Sequence, residues 1–292
     1  MKKVFAALMT AFDADGNIDE QGTREIIRHD IDVEGVDGLY VGGSTGENFE
    51  LGTDEKKKIF DIAWDEAGSD DVELIAQVGS PNLHEAKMLA KYVTETLGFK
   101  TISAVTPFYY QYSFDEIKHY YDEIVKDVDA NLLVYSIPAL TGVNLSLDNF
   151  AKLFSNPKVI GVKYTNPDFF LLERLRKRFP DKVIMSGFDE MLLPALALDV
   201  NGCIGSTFNI NAKKVKAEIK AFEDGDIDRA RQLQHESNDL IADLLDNGIY
   251  PSIKLVLQKM GVHAGYTREP MAHADEKVKA GADKIYQKYF AD

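Results

Sequence analysis

The sequence predicts a (β/α)8 TIM barrel of α/β class with a C-terminal helical extension, and three observations carry that prediction. Apolar runs of strand length recur eight times, centred on Phe5, Leu39, Leu74, Ile102, Leu133, Ile160, Ile184 and Ile204. Each is followed by a stretch whose apolar residues repeat with helical period. The centres stand 20 to 35 residues apart, which accommodates a strand, two loops and a crossover helix but is too long for hairpins, so the strands are expected to be parallel. Eight such units close naturally into a barrel. An open doubly wound sheet would more often use five or six strands and carry a glycine fingerprint after the first, which is absent here.

Taken in order, the first run begins behind Lys2 and Lys3 and mimics a short signal peptide over residues 4–12. Phe12-Asp13-Ala14-Asp15-Gly16 offers no small-x-small cleavage site, so the segment is read as strand one. Thr53-Asp54-Glu55 opens a helix ahead of Ile59 and Ala63, and Ser113 with Glu116 forms a capping box ahead of Ile117, Tyr120 and Tyr121. Leu147-Asp148 precedes Phe150 and Leu153 in the same manner. Beyond Asn211 the alternation ends, and 213–222, 227–246 and 253–260 are helical by period, with a last helix near 277–289. Residues 1–210 are therefore expected to form the barrel and 211–292 a helical appendage. No Pro/Gly/Ser linker divides them, so the appendage should pack on the barrel.

Composition narrows the function. With 292 residues, 45% of them hydrophobic, the chain can bury a full core. Its net charge of −15 is uninterrupted by any basic stripe, which disfavours nucleic acid and anionic membrane as partners. An acidic small molecule would have to be held by local donors. No run approaches the roughly 20 apolar residues that span a bilayer. Cys203 is the only cysteine, which excludes an intrachain disulfide and any multi-thiolate metal site and suits a reducing cytoplasm. The six histidines form no HxH or HExxH spacing, so a metal-dependent aldolase has little support, and there is no GxSxG elbow.

Barrel chemistry sits at the C-terminal ends of the strands, so the residues leaving each strand are the informative ones. After strand two comes Gly42-Gly43-Ser44-Thr45-Gly46-Glu47, whose glycines can turn amides inward and whose hydroxyls add donors, a cradle for a carboxylate. Alone it reads more readily as a structural loop. Strand five delivers Tyr135, which by itself would read as core, and strand six ends Gly161-Val162-Lys163-Tyr164-Thr165. Most strand-end lysines simply reach water. Together on one rim, however, a desolvated lysine attacks ketones, a tyrosine relays protons, and a hydroxyl-lined loop holds the adjacent acid. Strand seven adds Gly187-Phe188-Asp189-Glu190 and strand eight Gly205-Ser206-Thr207, a ring suited to a polyhydroxylated substrate. The acidic pair could instead serve a helix dipole.

The ordered motifs GGSTGE at 42–47, AVTPFYY at 104–110, VYSIPALTG at 134–142, GVKYT at 161–165, GFDE at 187–190 and GCIGSTFN at 202–209 run over essentially the whole chain. In them the sequence resembles the N-acetylneuraminate lyases, in the superfamily that includes dihydrodipicolinate synthase. The resemblance implies a class I aldolase that cleaves sialic acid to N-acetylmannosamine and pyruvate, with Lys163 forming the Schiff base and Tyr135 relaying the proton. It further implies Ser44 and Thr45 as carboxylate ligands, and Thr165, Gly187, Asp189, Glu190 and Ser206 as sugar contacts. Tyr109 would reach across a subunit interface toward a neighbouring Tyr135, which implies a homotetramer. Synthases of the superfamily carry an arginine in a YxxPxRT pattern that grips a second carboxylate. Leu140 stands there in this chain, and Ser136 occupies a place where these lyases often have asparagine. A synthase-like or 2-keto-3-deoxy sugar-acid aldolase remains the alternative, and a barrel kept only for binding a third.

Overall fold

The computed structural model describes residues 2–291. Met1, ahead of the first strand, and Asp292, the last residue of the expected appendage, lie outside the described residues. The eight strands are β1 (Lys3–Ala7), β2 (Gly38–Val41), β3 (Glu73–Gln77), β4 (Thr101–Val105), β5 (Asn131–Ser136), β6 (Val159–Tyr164), β7 (Val183–Ser186) and β8 (Gly202–Gly205). All pair in parallel, in chain order, and the barrel closes where Lys3 meets Gly202 and Phe5 meets Ile204. The predicted barrel is the observed one.

The crossovers are α1 (Glu20–Arg28), α2 (Thr53–Ala67), α3 (Leu83–Lys91), α4 (Phe114–Val125), then a short α5 (Pro138–Thr141) and α6 (Leu147–Phe154), α7 (Phe169–Arg178) and α8 (Leu192–Ala197). Their starts follow the capping chemistry. Ser113 Oγ accepts from the Glu116 amide while the Glu116 carboxylate accepts from the Ser113 amide. Ser146, one residue ahead of the expected start at Leu147, caps α6 through the Asn149 amide. Gly52 has no side chain to cap with, so at α2 only the reciprocal half forms, from the Gly52 amide to Glu55.

Four longer helices follow: α9 (Phe208–Glu223), α10 (Ile227–Asn247), α11 (Ile249–Lys259) and α12 (Glu276–Tyr289). Helix α9 packs on β1 as the eighth crossover would, so the expected division at 210 falls inside its first turn. Helices α10 and α11 pack on α9 and on each other, and α12 packs on α10 and α11.

Period-two alternation in the strands decides what each side chain sees. Phe5, Ala7, Tyr40, Ile75, Val105, Leu133, Tyr135, Met185 and Ile204 fill the barrel interior, whereas Val4, Ala6, Leu39, Val41, Val134 and Val162 face the helices. The register Tyr135–Lys163–Met185 runs around the barrel at one level. Lys163 therefore points inward because Val162 points out. Burying two aromatic rings and several aliphatic side chains at this level contributes on the order of 2 kcal/mol each, and it leaves the lysine almost wholly buried.

Candidate active site

A cavity of about 170 Å³ opens at the C-terminal mouth of the barrel. Lys163 and Tyr135 line it from β6 and β5, and Ser44 and Thr45 from the turn after β2. Thr165, Gly187, Asp189, Glu190 and Ser206 complete its wall. Nine of the ten residues expected from the sequence thus share one space. The tenth, Tyr109, follows β4 with φ of 79° and stands 86% exposed at the surface, packed edge-on against Tyr110 rather than in the cavity.

Lys163 is only 5% exposed. Its Nζ lies 4.1 Å from the ring centre of Tyr40 and 4.2 Å from that of Tyr135. Desolvation is the dominant influence and lowers the amine from 10.5 to about 7, against a weaker upward pull from the Asp189 charge. A substantial fraction is therefore the neutral nucleophile near neutral pH. Tyr40 and Tyr135 meet edge to face at 5.9 Å. Tyr40 is anchored by its hydroxyl, which donates to Ser103 Oγ at 2.9 Å, and Ser103 donates on to the Leu133 carbonyl at 3.0 Å. This fixed wall was not singled out in the sequence, because a tyrosine within Gly-Leu-Tyr-Val reads as ordinary strand core.

Burial holds Tyr135 up at about 12, chiefly by desolvation, with the Ser44 and Thr165 hydroxyls acting in the opposite sense by favouring the phenolate. It rests as a phenol. Thr165 Oγ1 is nonetheless buried without a well-formed hydrogen bond, so it is a free donor or acceptor at the wall. Thr45 Oγ1 and Ser206 Oγ lie 2.7 Å apart, tying the turn after β2 to the end of β8.

Asp189 is held in one orientation: its Oδ2 accepts from the Thr207 amide at 3.0 Å and the Thr207 hydroxyl at 2.6 Å. Desolvation raises this carboxyl to about 6 despite those bonds. Asp189 and Glu190 lie in a single tight turn rather than in a long helix, and Asp189 engages Thr207 just ahead of α9 through Oδ2 alone. Two glycines are required by close approach. A Cβ at Gly205 would sit 2.0 Å from Asp189 Oδ1, and one at Gly187 would sit 1.8 Å from Thr165 Oγ1.

The helical extension also contributes, which sequence reasoning missed. Gln234 Nε2 on α10 donates to the Asp189 carbonyl at 3.1 Å and Asn238 Nδ2 to the Glu190 carbonyl at 3.2 Å, fixing that turn from behind. Tyr250 on α11 lines the cavity wall opposite the barrel. Polar residues spaced four apart on one helix face, as Gln234 and Asn238 are, offered a weak signal. A second cavity of about 240 Å³ adjoins the first through Ser44, Ile137 and Leu140, and is walled mostly by apolar side chains, among them Phe49, Phe108 and Met271. It lacks the lysine and forms a vestibule.

A closed parallel barrel, with a desolvated lysine and a buried phenol at its mouth and a ring of hydroxyls above them, has the makings of an aldolase, a carbon–carbon lyase. The profile of the dihydrodipicolinate synthetase family matches residues 1–288. An N-acetylneuraminate lyase of Lactiplantibacillus plantarum is 62% identical over 289 residues, covering 99% of this chain and 98% of that one. A solved Clostridium difficile structure in complex with mannosamine superposes with a TM-score of 0.97 at 57% identity, covering 99% of both chains. The Fusobacterium nucleatum N-acetylneuraminate lyase complexed with pyruvate gives 0.95 at 54%, covering all of this chain and 98% of the other. The chain belongs to the dihydrodipicolinate synthetase family and, within it, to the N-acetylneuraminate lyases. Among the described residues no helix is long and apolar enough to cross a membrane.

Proposed function

We propose that this chain reversibly cleaves N-acetylneuraminate to N-acetylmannosamine and pyruvate through an imine on Lys163, with no metal or organic cofactor. The observation that carries the reading is the Lys163 amine, buried against two tyrosine rings and lowered to about 7. Neutral Nζ attacks C2 of the open-chain sugar acid. The C2 oxygen leaves as water with one proton from the attacking nitrogen and one from Tyr135, a phenol at rest, which generates the protonated ketimine and a phenolate. The phenolate then takes the C4 hydroxyl proton. The C3–C4 electron pair flows into the iminium, the aldehyde of N-acetylmannosamine departs, and the enamine is protonated at C3 and hydrolysed to pyruvate and free lysine.

Ser44 and Thr45 receive the keto-acid carboxylate, while Thr165, Gly187, Asp189, Glu190 and Ser206 hold the sugar chain. The oriented Asp189 acceptor and the hydroxyls facing it support that division. Leu140, apolar at the mouth, argues against condensation with aspartate semialdehyde, which would need a cation for a second carboxylate. The exposed rings of Tyr109 and Tyr110, with Leu140 beside the vestibule, support assembly as a homotetramer in which Tyr109 approaches a neighbour's Tyr135. A lone, buried Cys203 thiol is compatible with the cytoplasm.

The test is borohydride reduction in the presence of pyruvate followed by peptide mass mapping. A reduced adduct on Lys163 is expected, and an adduct elsewhere or none at all overturns the mechanism.

A further inference from the structure

Glu47 ends the Ser44–Gly46 turn with φ of 58°, the left-handed region in which a non-glycine residue is strained by about 1–2 kcal/mol. Such a conformation persists only when its surroundings hold it, and here they do so through a buried charge. Glu47 and Lys254 are 0% and 1% exposed at their side chains, and Lys254 Nζ donates to Glu47 Oε1 at 2.5 Å. The other carboxylate oxygen accepts from the Arg268 amide at 2.7 Å. Lys254 donates again to the Tyr266 carbonyl at 2.5 Å and stands 4.8 Å over the Phe12 ring. Both charges are thus fully partnered, and the partners come from α11 and the loop after it, more than 200 residues away in sequence. The Glu47 amide in turn donates to the Ser44 carbonyl at 3.0 Å, and Thr10 Oγ1 holds the Gly46 carbonyl at 2.9 Å.

We infer that Glu47 and Lys254 are positioning residues: their ion pair straps the turn bearing Ser44 and Thr45 to the C-terminal helices and so sets the geometry in which the keto-acid carboxylate is received. Neither residue lines the cavity that holds Lys163, and Glu47 reaches only the adjoining vestibule, so the pair acts through the turn. A buried ion pair contributes little net stability but is strongly disruptive when one partner is lost, and that disruption would fall on the carboxylate cradle. The inference rests on the reading that Ser44 and Thr45 receive the carboxylate.

Steady-state kinetics on the full-length protein test it. Lys254→Met should raise KM for both N-acetylneuraminate and pyruvate about tenfold or more while kcat stays within a few-fold, because ground-state and transition-state binding of the carboxylate fall together. Glu47→Gln should do the same. The neutral pair Glu47→Gln with Lys254→Met, which buries no unmatched charge, should show less than the sum of the single effects. A folded Lys254→Met enzyme with KM within twofold of the parent overturns the inference. So does an equal loss of active fraction at unchanged KM, the signature of a merely structural contact. Should these variants not fold, hydrogen exchange on the unmodified protein decides: the Arg268 amide, which donates to Glu47, should slow on adding pyruvate, and an unchanged rate overturns the strap. Ser44→Ala and Thr45→Ala separate the two readings. If they leave KM unmoved the cradle assignment fails; if they raise it and Lys254→Met does not, only the strap fails.

Discussion

Lys163→Met should abolish cleavage yet make the protein more stable, by an amount that depends on pH. The buried amine has its proton affinity lowered from 10.5 to about 7. Above pH 10.5 both folded and unfolded chains carry the neutral amine, and burial costs nothing in protonation. As the pH falls the unfolded chain takes up the proton and the folded chain does not, so folding loses about 1.4 kcal/mol per pH unit until pH 7, where the folded amine charges too. At pH 7 and below the accumulated loss is on the order of 4–5 kcal/mol, and methionine, similar in length and without a proton, removes it. For 292 residues, an unfolding entropy of about 2.1 cal/mol/K per residue converts this to about 7–8 °C in Tm. At pH 9.5 only about one unit has accumulated, worth about 2 °C. Calorimetry of both proteins between pH 9.5 and 6.5 should show the difference in Tm growing as pH falls and levelling near 7. A difference that is flat with pH, or a parent more stable than the variant, would refute the assignment of a desolvated amine to Lys163.

The same amine should impose an ascending limb near pH 7 on kcat/KM, since only the neutral form attacks; a limb displaced by two units in a pH–rate profile would contradict it. Tyr135→Phe should lower kcat by about 10²–10⁴-fold while the Lys163 adduct with pyruvate can still be trapped, slowly, by borohydride. Gly205→Ala places a methyl 2.0 Å from Asp189 Oδ1; it should raise KM for N-acetylneuraminate while leaving pyruvate trapping at Lys163 intact, and equal effects on both would count against Asp189 as a sugar ligand. Leu140→Arg should weaken cleavage of N-acetylneuraminate, measured by coupled pyruvate release, and an unchanged rate would remove Leu140 from the substrate path.

The barrel was legible because its code is local: strand-length runs at crossover spacing, and capping residues such as Ser113 and Glu116 where helices begin. Lys163 was legible only in company, on one rim with Tyr135 and the Ser44–Thr45 turn, because a strand-end lysine alone reads as solvated. Tyr40 was not, because its neighbours Leu39 and Val41 give it the look of core and only its distance to Nζ gives it a role. Gln234, Asn238, Tyr250 and Lys254 escaped for a different reason. They lie on amphipathic helices whose periodicity reports a packed face but says nothing of which distant turn that face meets. Tyr109, singled out through resemblance alone, stands at the surface.

The reach of the Glu47–Lys254 pair has a consequence for how the protein is made. During synthesis Glu47 emerges 207 residues before its partner, roughly 10–40 s at 5–20 residues per second. The seam between β1 and β8 likewise waits for Gly202. For most of translation the nascent chain therefore carries open strand edges and a carboxylate destined for burial with no cation to meet it. The pocket can therefore be completed only after the C-terminal helices have been made, and until β8 is made the edge of β1 stays unpaired.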